Sequence, residues 1–207
     1  MRQGLRLPCV AVKHELPLKE QLAQLYAFTT TLSQNHAMTA DPLALEPLLT
    51  EVRARSSGIG SHIHGELHWR TVGANGLWLA EPLGGADTFV IFLFALLHDS
   101  MRENDSVDPG HGPRAAAFAV ALHGEGLLET TPAQLETLRY ACFEHTNGLV
   151  SSDPTVGVCW DADRLDLPRV GIQPDPARFS TSRAHEGPPE LGEPPDWETL
   201  YAAATGG

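Results

Sequence analysis

Eleven residues constrain this chain more than any others: Phe89-Val90-Ile91-Phe92-Leu93-Phe94-Ala95-Leu96-Leu97-His98-Asp99. Nine successive apolar residues, three of them aromatic and none Gly or Pro, read as a helix that is buried rather than amphipathic. The run ends in His98-Asp99. Two polar groups at the end of so apolar a segment need partners, because an unpaired buried charge is costly. Either the pair leaves the helix into solvent, or a divalent metal takes an imidazole nitrogen and a carboxylate oxygen together. The dipeptide by itself favours solvation.

Other helices follow from start and stop signals. Lys19 to Asn35 carries Leu22, Leu25, Tyr26 and Leu32 at helical spacing. Asp41-Pro42 opens an amphipathic helix to about Arg55, and Ser56 to Gly60 break it. Ser61 is placed to cap a helix carrying His64, Leu67, His68 and Val72 towards Glu81. Asp87 or Thr88 caps the apolar run. Residues 99–113 read as a polar loop, and Pro113 opens an Ala-rich helix through Leu122. Thr131-Pro132 and Asp153-Pro154 start two more, ending near His145 and Leu165. Beyond Val170 the chain turns to Pro, Gly and polar residues and reads as an irregular tail. No alternating strand pattern of useful length occurs. The expected class is all-α, a helical bundle over 61–170 with an N-terminal arm and helical extension over 1–60 and a Pro/Gly-rich tail over 171–207.

A chain of 207 residues can bury a full core. Its net charge of −12 disfavours broad nucleic-acid binding, which needs a basic surface. A small anionic substrate remains compatible, provided a metal and local Arg reverse the field in a cleft. Cys9, Cys142 and Cys159 form no C-x-x-C pair and read as free thiols of a reducing compartment. Pro8, Lys13 and His14 interrupt the N-terminus before a signal-peptide core develops, and no apolar run reaches membrane-spanning length. A cytoplasmic protein without a membrane partner is expected, and a homodimer is compatible with the unassigned flanks.

Ten His is a high count, and most fall between His62 and His145. His68, His98-Asp99, His111, His145 and Asp163 each lie at the end or on the inner face of an expected helix. His and Asp are ligand types for Mn²⁺, Fe²⁺, Co²⁺, Ni²⁺ or Zn²⁺, and helical bundles build such sites from several helices at once. Any one of these His alone reads as a surface or hydrogen-bonded residue; the ordered set points to a metal. Asp161 is a rival to Asp163, but two residues apart on a helix they cannot point the same way. His64 precedes His68 by one turn and shares its face, as a substrate-side His or a hydrogen-bond partner of a ligand. Trp69, Trp78 and the Phe89, Phe92 and Phe94 set read as core.

In this order the residues resemble the HD superfamily of metal-dependent phosphohydrolases. His68-Trp69-Arg70-Thr71-Val72 keeps the family's first His and following Val, with Thr71 where Arg is usual. His98-Asp99 follows an apolar helix as in the family, and Ala162-Asp163-Arg164-Leu165 matches its closing Asp. His111-Gly112 and His145-Thr146 are similar to the extra His of its bimetal branch. The resemblance covers about residues 61–170, roughly half the chain. It implies one ion held by His68, His98, Asp99 and Asp163, with Asp99 bridging to a second held by His111 and His145.

The polar loop after Asp99 offers Arg102 to hold a phosphate by paired hydrogen bonds. Glu103 or Asp105 could orient water or protonate a leaving group. Asp99, Arg102, Glu103, Asp105 and His64 are therefore the candidate catalytic residues. The expected activity is hydrolysis of a nucleotide or other small phosphate ester by metal-activated water, with one or two divalent ions. Two other readings stand beside it: an HD-fold di-iron oxygenase, which resembles the same ligand set, and a non-catalytic nucleotide-sensing module, against which the intact ligand set argues.

Overall fold

The structure is a computed structural model and describes residues 42–188 and 192–206. The expected helix over 19–35, the arm before it, Cys9 and the Asp41 cap lie outside those residues. Seven α-helices follow in order: α1 Pro42–Arg55, α2 Glu66–Ala80, α3 Thr88–Leu97, α4 His111–Gly124, α5 Pro132–Glu144, α6 Pro154–Leu165 and α7 Trp197–Thr205. Three 3-10 turns, Leu167–Val170, Pro176–Arg178 and Arg183–Glu186, lie between α6 and α7. No strand occurs among the described residues. The chain is all-α.

Helix α3 is the hub. Every residue from Val90 to Leu97 is buried, and α2, α5, α6 and α7 pack around the helix. Fully burying a side chain of the Leu, Ile or Phe type contributes about 1.5–3 kcal/mol each, and Ile91, Phe92, Leu93, Phe94, Leu96 and Leu97 are all inaccessible. Asp87 caps this helix by accepting from Val90 N at 3.0 Å. Its other oxygen accepts from Gln134 Nε2 at 2.9 Å, and its amide donates to Thr155 Oγ1 at 2.9 Å. One acidic residue thus ties the starts of α3, α5 and α6 together. Thr131 and Gln134 form a reciprocal capping box on α5, and Asp153 with Pro154 starts α6.

Two boundaries differ from expectation. Ser61 does not cap α2; it accepts from Ile63 N and His64 N and closes a turn ahead of the helix, which starts at Glu66. Gly65 makes this turn sterically feasible, since a Cβ there would collide with the Ser61 carbonyl. Helix α4 starts at His111, two residues before Pro113, whose missing N–H falls within the first turn where no partner is needed.

The tail is the larger difference. Residues 197–205 form a helix whose Trp197, Leu200 and Ala204 are buried on one face. Trp197 and Tyr201 meet the Phe92 ring edge-on at 5.7 and 5.4 Å between centroids. Trp197 Nε1 donates to Glu66 Oε1 at 2.6 Å. Leu45, Leu48, Leu49 and Val52 of α1 belong to the same core. The expected divisions at 60 and 170 therefore do not separate cores among the described residues, which share one. Cys142 and Cys159 are buried free thiols. No helix among the described residues is long and apolar enough to cross a membrane.

Candidate metal centre

Helices α2, α3, α4, α5 and α6 each deliver a ligand-type side chain to one buried point. His68 lies on the inner face of α2, and His98-Asp99 follows the last residue of α3. His111 opens α4, His145 closes α5, and Asp163 sits near the end of α6. The four His and Asp99 are at most 6% exposed. His98 stacks on Phe94, one turn earlier, at 4.9 Å and 20° between planes, so the apolar run itself fixes its ring.

Each of the four imidazoles has its Nδ1 committed. His68 Nδ1 donates to Asp166 Oδ2 at 2.7 Å, and His98 Nδ1 to the Phe94 and Ala95 carbonyls. His111 Nδ1 donates to the Asp108 carbonyl, and His145 Nδ1 to the Cys142 carbonyl at 2.7 Å. Carbonyls and carboxylates only accept, so the ring proton is on Nδ1 and the Nε2 lone pair is left for the centre. The Nε2 atoms converge in pairs, His68 with His98 at 3.1 Å and His111 with His145 at 2.8 Å. Two lone pairs so close need a cation between them.

Asp99 joins the two pairs. Its Oδ2 lies 3.6 Å from His68 Nε2 and 3.9 Å from His98 Nε2. Its Oδ1 lies 3.3 Å from His111 Nε2 and 3.7 Å from His145 Nε2. Asp163 Oδ1 completes the first group at 3.4 and 3.8 Å from His68 and His98 Nε2. Ligand bonds of about 2.0–2.2 Å place neighbouring donors about 3–3.5 Å apart, so the donors fit a divalent ion with modest contraction. Imidazole and carboxylate donors with no thiolate suit first-row divalent metals. His68, His98, Asp99 and Asp163 would hold one ion, and Asp99, His111 and His145 a second.

The electrostatics agree. Burial pushes the His98 imidazole down to about 3, and burial together with neighbouring His145 lowers His111. Burial also opposes charge on His68 and His145. Hydrogen bonds to Asp163 and Asp166 outweigh it for His68, as the bond to Asp99 does for His145, and both are raised. Asp99 and Asp163 are held below the usual carboxylate range, the neighbouring His overcoming their burial. Each imidazole pair thus favours one positive charge beside an ionised carboxylate.

The other expected residues divide. His64 reaches the centre, its Nδ1 donating to Asp99 Oδ2 at 2.9 Å. Arg102 also reaches it, with NH1 3.3 Å from Asp99 Oδ1. Glu103 does not: its exposed carboxylate lies 3.7 Å from Arg114 Nε. Asp105 is bound to the Ser61 hydroxyl on the exposed side of the loop. Asp161 is not a rival for the metal; it is fully buried and accepts from the Ser180 and Thr181 amides. Trp69, Phe92 and Phe94 are core, as expected, and Phe89 and Trp78 pack at its edge.

A cleft of about 630 Å³ opens over the centre. His64, Asp99, Arg102, His111, His145 and Asp163 line its floor, while Leu167, Arg169, Ile172 and Arg178 of the segment after α6 form a wall. Arg169 and Arg178 had no motif to mark them. Asp166, the partner of His68, sits three residues past Asp163, where its place on the helix gave the signal. Aspartates at 161, 163 and 166 separate by rotation along α6 and its cap into one that pins the tail, one candidate ligand and one that orients a candidate ligand.

The cluster can hold a metal and is compatible with an HD-like site. No protein-family model, curated protein or solved structure matches this chain.

Proposed function

We propose that the chain is a metal-dependent phosphohydrolase acting on a small phosphate ester or nucleotide. The observation that carries this reading is Asp99, whose two carboxylate oxygens face two separate imidazole pairs beneath an open, Arg-lined cleft. A divalent ion bound there supplies acidified water near neutral pH and offsets phosphoryl charge.

The protein's own groups divide the remaining work. Arg102, Arg169 and Arg178 set three positive charges around the cleft, the donor type suited to phosphate oxygens. Val107, Leu167 and Ile172 give the same cleft an apolar side for the organic part of the ester. His64 holds Asp99 through Nδ1, and its Nε2 has no partner among the described residues. That nitrogen, a lone pair while Nδ1 carries the proton, is placed to accept a proton from the attacking water. Asp166 keeps His68 in the tautomer that exposes Nε2.

The test is elemental analysis of protein never exposed to chelator, followed by a phosphate-ester and nucleotide panel with Mn²⁺ restored after chelation. Metal-dependent turnover that Asp99→Asn abolishes while helical circular dichroism persists is expected. Less than about a tenth of an ion per chain, unrecovered on adding Mn²⁺ or Fe²⁺, would overturn the metal reading. Two Fe per chain with an O₂-dependent spectrum and no phosphate release would replace hydrolysis by oxygenation.

A further inference from the structure

The two ligand groups are not equivalent. The first has four donors, His68 Nε2, His98 Nε2, Asp163 Oδ1 and Asp99 Oδ2, and no guanidinium within hydrogen-bonding distance of any of them among the described residues. The second has three donors and an arginine among them. Arg102 NH1 lies 3.3 Å from Asp99 Oδ1 and 3.1 Å from His111 Nε2. NH1 is also 3.4 Å from His111 Nδ1, so it lies over the face of that ring and not on the in-plane Nε2 lone pair; its hydrogen bond is to Asp99 Oδ1. Thr146 Oγ1 stands 3.2 Å from His111 Nε2.

The guanidinium is held there by its loop. Its NH2 donates to the Ser106 carbonyl at 2.9 Å and its Nε to the Asn104 carbonyl at 3.4 Å. Asn104 Oδ1 accepts from Ser106 N, which fixes the turn that offers those carbonyls. Asp108 anchors the far side, accepting from Glu103 N, Gly110 N and Arg114. The Arg102 side chain is only 11% exposed. It is built into the site and is not a surface residue that swings past.

One of the three atoms that an ion in the second group would need, Asp99 Oδ1, is therefore already hydrogen-bonded to a permanent cation, and a second, His111 Nε2, lies 3.1 Å from it. The guanidinium does not lose its charge at any accessible pH. An ion bonded to Asp99 Oδ1 and His111 Nε2 at about 2.1 Å would lie within about 5 Å of NH1, competing for the Asp99 oxygen and repelling the guanidinium.

We propose that Arg102 is a built-in competitor for the second divalent ion. The chain then holds one ion tightly at His68, His98, Asp99 and Asp163, while the Arg102 guanidinium supplies the positive charge at Asp99 Oδ1 and His111. A second ion enters only as the guanidinium withdraws into the cleft. This rests on the metal reading of the site, not on its phosphohydrolase activity.

The test is stoichiometry and affinity for Mn²⁺ by calorimetric titration, with bound Mn²⁺ counted by elemental analysis after gel filtration. Wild type, Arg102→Met and the double variant Arg102→Met/His111→Ala are compared. Wild type should retain one ion. Arg102→Met should keep that ion at unchanged affinity and bind a second at least tenfold more tightly than wild type does. The added His111→Ala should remove only the gained ion. The unchanged first ion shows that the variant is folded, because its four ligands come from three helices and the residues beside them. A second-ion affinity equal to or weaker than wild type in Arg102→Met overturns the proposal and leaves the metal site standing. No ion in either protein overturns both.

Discussion

Gly112→Ala tests whether the second ligand group is set by how closely α4 approaches α5. A Cβ at Gly112 would lie 2.7 Å from the Cys142 carbonyl oxygen, 2.9 Å from that of Phe143 and 3.4 Å from His145 Cε1. Two of these neighbours are backbone, so no side chain can swing aside. Ordinary contact begins at 3.4 Å, so the helices must part by about 0.5–0.7 Å, the difference from the two carbonyl distances. Overpacking of this kind costs about 1–3 kcal/mol. The strain falls beside His111 and His145, whose Nε2 atoms are 2.8 Å apart. The first group draws its donors from α2, α6 and the end of α3, so it is not displaced. The assay is urea unfolding at equal metal loading, together with Mn²⁺ titration. Expected are a stability loss in that range, first-ion affinity within threefold of wild type, and loss of the second ion when the change is made with Arg102→Met. A loss below about 0.5 kcal/mol, within the ordinary range of surface changes, would refute the close-approach argument. So would first-ion affinity falling as far as the second.

Proton release gives a separate check. Metal-free protein at pH 5.5 should release about one proton when the first ion binds, because His68 is raised, His98 is lowered to about 3 and the carboxylates are already ionised. Calorimetry in buffers of different ionisation enthalpy reads this, and two protons or none would contradict the paired-imidazole picture. In the chelated protein His98 binds its proton only below about 3, whereas an unfolded His takes one near 6.5. Its contribution to stability is therefore complete above pH 6.5 and falls as pH drops towards 3, by at most roughly 5 kcal/mol. His98→Phe should flatten that acid limb of a urea-midpoint profile, and an unchanged limb would assign it elsewhere. Truncation after Gly187 removes the buried Trp197 and Leu200 and uncovers Phe92. It should cost roughly 5 kcal/mol by the burial of two large side chains, and an unchanged melting temperature would show α7 to be dispensable.

Much of this arrangement was legible because local chemistry and global packing agree. An apolar run without Gly or Pro can only be central, and α3 is. Asp-Pro and Thr-Pro pairs mark helix starts wherever the first N–H groups need an acceptor and the first position needs none, so α5 and α6 begin where those pairs stand. Histidines at the ends of such helices face the same centre because the helices all pack against α3. What escaped was of a different kind. Helix α7 is nine residues long behind a Pro-rich lead, too short for periodicity to separate it from a tail. Its identity lies in the Phe92 ring it covers. The roles of the 102–108 loop escaped because a loop's side chains are aimed by its turns, not by a repeat. Arg102 is turned inward by carbonyls two and four residues ahead, while Glu103 and Asp105 are left outward.

The same contrast explains how the site is built. Its ligands stand where helices begin and end, at His98-Asp99, His111 and His145, and there an imidazole Nδ1 can donate to a carbonyl one turn back or just before the helix. Such a bond fixes the ring using only the chain that carries it. His68, in the first turn of α2, has Trp69 on the carbonyls behind it, Trp69 Nε1 on that of His64 and Trp69 N on that of Gly65. It must borrow Asp166, which caps the end of α6. That makes the first ligand group dependent on how α2 packs against α6 and α3, and Gly76 sets the approach to α3. Its Cβ would stand 2.5 Å from Ile91 and 3.6 Å from Ala162. The small residue on α2 and the carboxylate capping α6 therefore act together, the first letting α2 close on α3, which leads into His98-Asp99, and the second turning His68 towards Asp99.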